Sequence, residues 1–307
     1  MFKCLKTLFV MGLASFLMAC SNDDSPPNLV EVAQDDPRFS VLVEAVVAAD
    51  LTSTLTGPGP FTVFAPTNDA FALLLTELGI SKSQLLADKA LLKTVLTYHV
   101  LPAKVMKSEV PAGKALSSVQ GGVFKIDAVG SDLLITDGRN RSSKIILADV
   151  SASNGVIHAI DKVLLPANKT VVETAIANPD FSILVEAVTA ADLGATLSGT
   201  GPFTVFAPTN AAFASLLTEL GISKEALLAN KALLTQVLTY HVVSGRVLKA
   251  EVPVGSAIKT VQGETFTIDS SLNVNDQRAR KAKIVATDVL ASNGVIHVID
   301  KVILPKP

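Results

Sequence analysis

The octapeptide Phe61-Thr-Val-Phe-Ala-Pro-Thr-Asn68 sets the frame for the whole chain, because it returns letter for letter at Phe203–Asn210. Each copy is an apolar, β-favouring run stopped by proline. A Thr-Asn pair suited to capping the next helix follows it: Thr67 and Asn68, then Thr209 and Asn210. A second block also repeats: Asn154-Gly-Val-Ile-His-Ala-Ile-Asp-Lys-Val-Leu-Leu-Pro166 matches Asn293-Gly-Val-Ile-His-Val-Ile-Asp-Lys-Val-Ile-Leu-Pro305. Self-similarity at this spacing predicts two tandem domains, since solenoid repeats are much shorter. The 307 residues suit two domains of about 140 each.

Outward from the octapeptide, the flanking segments read as helices. Asp36 and Pro37 open one whose Phe39, Leu42, Val43 and Val46 share a face, and the twin runs through Asn178, Pro179, Phe181, Leu184, Val185 and Val188. After the strand, Phe71, Leu74, Leu75 and Leu78 line a helix ended by Gly79. Ser81 and Gln84 have capping-box spacing before another helix, whereas the second copy has Ala226 in place of the glutamine. Leu91, Leu92, Val95 and Leu96 then lead into Tyr98-His99, matched by Tyr240-His241. From residue 100 the texture becomes short β-like runs at 115–119, 123–127, 132–136 and 143–148, with a last strand inside Val156–Leu164. Helices gather in the first half of each repeat and strands in the second, which predicts an α+β domain and not a βαβ sheet. The segment Asp127–Lys144 is longer than its counterpart Asp269–Lys283, so it reads as a peripheral hairpin. Ala167–Lys169 is left as a short linker.

Residues 1–19 read as a lipoprotein signal peptide. Lys3 and Lys6 supply the positive end, and the uncharged run Leu8–Ala19 is too short to span a bilayer. Leu17-Met-Ala-Cys20 resembles a bacterial lipobox, which implies cleavage before Cys20 and acylation of its thiol; the alternative is an ordinary secretory peptide. Residues 20–27 would be the lipidated cysteine and a flexible tether. The expected location is the cell envelope, in the outer membrane because Ser21 lacks the aspartate of inner-membrane retention, facing the periplasm or the cell surface. Cys4 would leave with the signal, which excludes disulfides, thiol catalysis, Cys-rich zinc sites and iron–sulfur chemistry in the mature chain. The 26 Lys and Arg nearly balance the 28 Asp and Glu, and neither half carries a positive excess, so nucleic acid is not an expected partner.

Few residues suggest chemistry. The four histidines form two equivalent pairs, His99 with His158 and His241 with His297. A metal site with Asp161 or Asp300 is one reading. Against it, His158 and Asp161 lie three apart on an expected strand, where odd spacing points side chains to opposite faces. Buried histidines bonded to backbone or tyrosine are the other reading. No Gly-x-Ser-x-Gly elbow, P-loop or Gly-x-Gly-x-x-Gly turn occurs, so no catalytic residue and no cofactor are assigned. Arg139, Arg141 and Lys144, and more densely Arg278, Arg280, Lys281 and Lys283, place positive charge on the variable hairpin. They are either solvated loop residues or a contact for polyanionic glycans.

Taken in order, the octapeptide, the Tyr-His pair and the Asn-Gly-Val-Ile-His block resemble the motifs of the fasciclin (FAS1) domain, over 28–166 and again over 169–305. The resemblance implies a β-wedge or sandwich flanked by helices. It also implies adhesion proteins, secreted or surface-anchored and not, as a rule, enzymes. Animal members carry an Asp-Ile pair of integrin-recognition motifs where this chain has Asp149-Val150 and Asp288-Val289. The flanks, Leu147-Ala148 and Ala286-Thr287, share none of those motifs' outer residues. The pairs are therefore candidate partner-binding residues or turn-stabilising aspartates. The expected function is a lipid-anchored adhesion or protein/glycan-binding module. A structural or periplasmic accessory protein without an external ligand is the alternative, and an enzyme comes third.

Overall fold

The structure is a computed structural model and describes residues 25–307. The signal peptide, Cys20 and the first residues of the tether lie outside the described residues. In the first domain β1 (Phe61–Pro66) follows three short helices, α1 (Leu29–Asp35), α2 (Ser40–Ala48) and α3 (Thr52–Leu55). Then come α4 (Asn68–Leu78), α5 (Lys82–Ala87) and α6 (Lys89–Tyr98). The strands β2 (Val100–Leu101), β3 (Ala115–Ser117), β4 (Val123–Val129), β5 (Asp132–Thr136), β6 (Ser142–Ala152) and β7 (Gly155–Ile160) complete it. The second domain repeats this order as α7 (Val171–Ile176), α8 (Ser182–Ala190), α9 (Gly194–Ser198), β8 (Phe203–Pro208), α10 (Asn210–Leu220), α11 (Lys224–Ala229) and α12 (Lys231–Tyr240). Its strands are β9 (Val242–Ser244), β10 (Ala257–Lys259), β11 (Thr265–Ile268), β12 (Asn273–Asn275), β13 (Lys281–Ala291) and β14 (Gly294–Ile299).

Each domain is one seven-stranded sheet, in the order β2-β1-β7-β6-β5-β4-β3 and its equivalent in the second copy. The two repeated blocks are neighbours in it. β1 pairs with β7 in parallel, Phe61 opposite Gly155 and Pro66 opposite Ile160, the one parallel ladder in an otherwise antiparallel sheet. That approach requires glycine: a Cβ on Gly155 would stand 2.2 Å from the Phe61 carbonyl oxygen. β6 loses register between Ile145 and Leu147 and again before Val150, and these irregularities bend the sheet into a wedge. Helices pack on one side, over Leu42, Phe71, Leu92 and Ile157. Inside the wedge Phe64, Tyr98 and Phe124 form a second core, with edge-to-face contacts at 5.3 and 5.7 Å.

The motif residues hold these layers together. Thr67 caps α4, its hydroxyl accepting from the Ala70 amide at 3.3 Å. Asn68 ties α4 to the start of α2, accepting from the Val41 amide (3.0 Å) and donating to the Pro37 carbonyl (2.9 Å). Thr209 and Asn210 do the same in the second domain. Asn154 clamps the first helices to the sheet: it accepts from the Leu29 amide and donates to the Leu55 and Gly57 carbonyls. Asn293 repeats all three bonds. Tyr98 and Tyr240 donate to the Val123 and Thr265 carbonyls, which turns a buried hydroxyl into a strut across the wedge.

Three expectations differ from the structure. Asp36 caps a single 3-10 turn, Pro37–Phe39, and α2 starts only after it. An additional helix, α1, precedes that turn, closed by a capping box between Asn28 and Glu31. The basic residues do not sit on the hairpin that varies in length. Val129 pairs with Asp132 across that hairpin, β4–β5, whereas Arg139–Arg141 occupy the next turn, β5–β6.

Candidate partner-binding turns and the domain junction

The histidines are spoken for. His99 Nδ1 donates to the Val95 carbonyl (2.7 Å) and its Nε2 accepts from the Leu164 amide (2.8 Å). His241 makes the same pair with Val237 and Ile303. His158 and His297 use the opposite tautomer: Nε2 donates to the Val105 or Val247 carbonyl, and Nδ1 accepts from the Asp149 or Asp288 amide. Amides only donate and carbonyls only accept, so each ring is a neutral imidazole with its single lone pair already used. Burial pushes His99 and His241 down to about 4, and burial likewise lowers His297. Asp161 is elsewhere engaged, accepting from the Ser143 hydroxyl and the Lys144 amide. Among the described residues no group of three or more His, Cys, Asp or Glu could hold a metal ion.

Asp149 and Asp288 lie where β6 and β13 bulge, each in the left-handed region at φ 62°. Each backbone N–H is held by the histidine, and each Oδ1 accepts from a loop amide: Lys107 at 2.8 Å for Asp149, Lys249 at 2.7 Å for Asp288. The adjoining Val150 and Val289 are half-buried and pack against the helical cores.

The second oxygens separate the copies. Asp288 Oδ2 accepts from Lys125 Nζ of the first domain at 2.9 Å, with the two side chains 3% and 13% exposed. Burial opposes the charge of Lys125, yet its hydrogen bonds to Asp288 and Asp127 outweigh this and hold it above the usual lysine range. Around that pair the domains are joined. Asn140 donates to the Leu290 carbonyl (3.0 Å) and accepts from its amide (2.7 Å), and Val123 packs with Leu248, Leu290 and Val295. Asp288 is thus part of the domain junction and is not presented outward, a correction to its reading as an exposed contact. Asp149 has no such cation: among the described residues its carboxylate makes no ion pair.

The basic cluster splits in a similar way. A buried aspartate that the sequence reading passed over, Asp137, accepts from the Arg139 and Arg141 amides and from the Arg141 guanidinium. Arg141 also reaches Glu77 and the Val163 carbonyl. Asp276 organises Arg278 and Arg280 alike, with Arg278 on the Pro305 carbonyl and Arg280 on Glu219. Lys144 pairs with Asp132 at 2.7 Å. Lys281 and Lys283 stay exposed and make no ion pair among the described residues. The signal for the organising aspartates was an Asp two and four residues ahead of the arginines, the spacing of a side chain closing its own turn.

A fasciclin domain model matches residues 37–166 and 179–305. Protein sll1483 of Synechocystis sp. is 51% identical over 147 residues, covering 47% of this chain and 76% of that protein. Transforming growth factor-beta-induced protein ig-h3 of Oryctolagus cuniculus is 31% identical over 259 residues, 83% of this chain but 36% of its own length. This chain thus spans about a third of that relative. A solved FAS1 domain pair from the insect cell adhesion molecule fasciclin I covers 90% of this chain and 95% of its own, at 19% identity and a TM-score of 0.44. Among the described residues no helix is long and apolar enough to cross a membrane. The chain, with two matched domains that account for nearly all of its described fold, belongs to the fasciclin domain family.

Proposed function

We propose that this protein is exported, anchored in the cell envelope through a lipid on Cys20, and acts there as an adhesion module that binds a protein partner. Fasciclin-domain proteins are typically adhesion or matrix-associated, and non-enzymatic. The observation that carries the reading is the unequal use of two equivalent turns. Asp288 is spent joining the domains, while Asp149 keeps the same geometry with its outer oxygen unpaired among the described residues. The buried histidines and Asp137 are consumed by the fold, so the polar chemistry left to a partner lies on the surface. A second reading, contact with polyanionic glycans, is supported by the exposed Lys281 and Lys283 on one face of β13. Neutralising both lysines would then weaken glycan binding and flatten its salt dependence.

The test is made on cells. Mass spectrometry is expected to find an acylated Cys20 as the mature N-terminus, and Cys20→Ala should release or misprocess the protein. Protease treatment of intact cells should remove the protein together with cell attachment. An unmodified N-terminus elsewhere refutes the anchor. A protein spared by the protease, with attachment unchanged in its absence, returns the periplasmic accessory reading.

A further inference from the structure

At Asp288 the second domain holds an interdomain contact whose counterpart turn in the first domain, at Asp149, has no such cation among the described residues. Around Asp288 the occupant is the end of the first domain's sheet at the β5–β6 turn: Lys125 on β4, Asn140 in that turn, and the apolar Val123. The equivalent site around Asp149 has the same parts. Its left-handed backbone is the same, its amide is held by His158, and its Oδ1 is pinned by the Lys107 amide. Asp149 Oδ2, the counterpart of the oxygen that takes Lys125, has no cation among the described residues.

The flanking residues differ in the direction expected of an open face. Where the buried junction uses Leu248 and Leu290, the first domain has the half-buried Met106 and the exposed Ser151. The sheet end that would have to serve as occupant in a second copy differs too. By strand register Thr267 stands at the position of Lys125, and Ala279, left-handed like Asn140, replaces the asparagine. The first domain's own sheet end is already engaged within the chain. The equivalent end of the second domain lacks both the lysine and the asparagine, so a second copy of this chain does not offer the required groups.

We propose that the Asp149 turn is a docking site for the turn end of the sheet of a fasciclin-type domain on another polypeptide. That sheet end would present a strand lysine and a turn asparagine as Lys125 and Asn140 do here. Charge complementarity selects the partner: the ammonium completes Asp149 Oδ2, and the carboxamide pairs with the backbone of Ser151. The polar flanks make the contact exchangeable, unlike the apolar junction inside the chain. This inference rests on the chain being a binding module and specifies what it binds.

The experiment gives the second domain the groups it lacks. In the full chain, Thr267→Lys with Ala279→Asn places both on the free sheet end of the second domain, on β11 and in the β12–β13 turn. Sedimentation velocity should show the wild type monomeric. The variant should associate head to tail, its mean mass passing about twice the monomer value near ~100 µM. Adding Asp149→Asn, which keeps the Oδ1 acceptor and tolerates the left-handed backbone, should return it to monomer. Three results overturn the proposal: a folded variant that stays monomeric, association indifferent to Asp149→Asn, or a wild type that self-associates through Asp149. Cells that still adhere while the folded variant stays monomeric would defeat this site and leave the adhesion reading standing.

Discussion

At the scale of the residue, the histidines show how motif positions are spent on structure. Each ring bridges a carbonyl and an amide, and protonation would aim a second N–H at the amide it now accepts from. His99 and His241 hold values of about 4 against the ordinary 6.5, first of all through burial. The unfolded chain therefore binds more protons between those two values. Their contribution is complete above pH 6.5 and is lost as the pH falls towards 4, by at most about 3 kcal/mol per ring. Urea unfolding should show a midpoint that drops between pH 7 and pH 4.5, and a flat profile would contradict the assignment. The sequence showed paired histidines in apolar settings, enough to favour a structural role. It did not show the bonds, because the amides of Leu164 and Ile303 arrive from residues far along the chain.

Among the elements, legibility followed local composition and spacing. β4, β5 and the strand within Val156–Leu164 were readable as short β-favouring runs, and the Ser81–Gln84 capping box formed as its spacing required. α1 escaped because a seven-residue helix beside Pro26-Pro27 looks like the end of a tether; its Asn28 and Glu31 were the available signal. The parallel β1–β7 ladder could not be read either, since it joins residues about 94 apart with no local pattern to mark it. The helix-to-sheet packing also differs between the copies. A cavity of about 80 Å³ lies between α7, α8 and β8, against about 30 Å³ in the first domain. One cause is visible in the lining: Val171 stands where the first domain has Leu29, beside equivalent glycines. Val171→Leu should fill part of that space and stabilise the protein by about 0.5–1 kcal/mol, measured as a raised urea midpoint. Destabilisation would mean that the added methylene meets packed atoms and not the void.

For the whole molecule, the two domains are a joined pair in which equivalent turns have unequal fates. The sequence presented Asp149 and Asp288 as interchangeable, since each precedes a valine and then an Asn-Gly turn. The distinguishing signal lay in their neighbours. Leu290 answers Ser151, and on the opposite face Lys125 and Asn140 answer Thr267 and Ala279. Such differences gain meaning only once the end of the first domain's sheet is seen against the second domain's bulge. The Lys125–Asp288 pair is buried with Asp127 beside it at 3.0 Å, so removing the Asp288 charge leaves the ammonium partly compensated. Asparagine at either turn keeps the backbone conformation and the Oδ1 acceptor, which makes the two substitutions a matched comparison. Urea unfolding of Asp288→Asn against Asp149→Asn is therefore the most direct measurement. The expected result is a loss of about 2–3 kcal/mol for Asp288→Asn, with the second domain's transition separating from the first, and a change within about 0.5 kcal/mol for Asp149→Asn. Equal effects of the two substitutions would contradict the division between a turn spent on the junction and a turn left open.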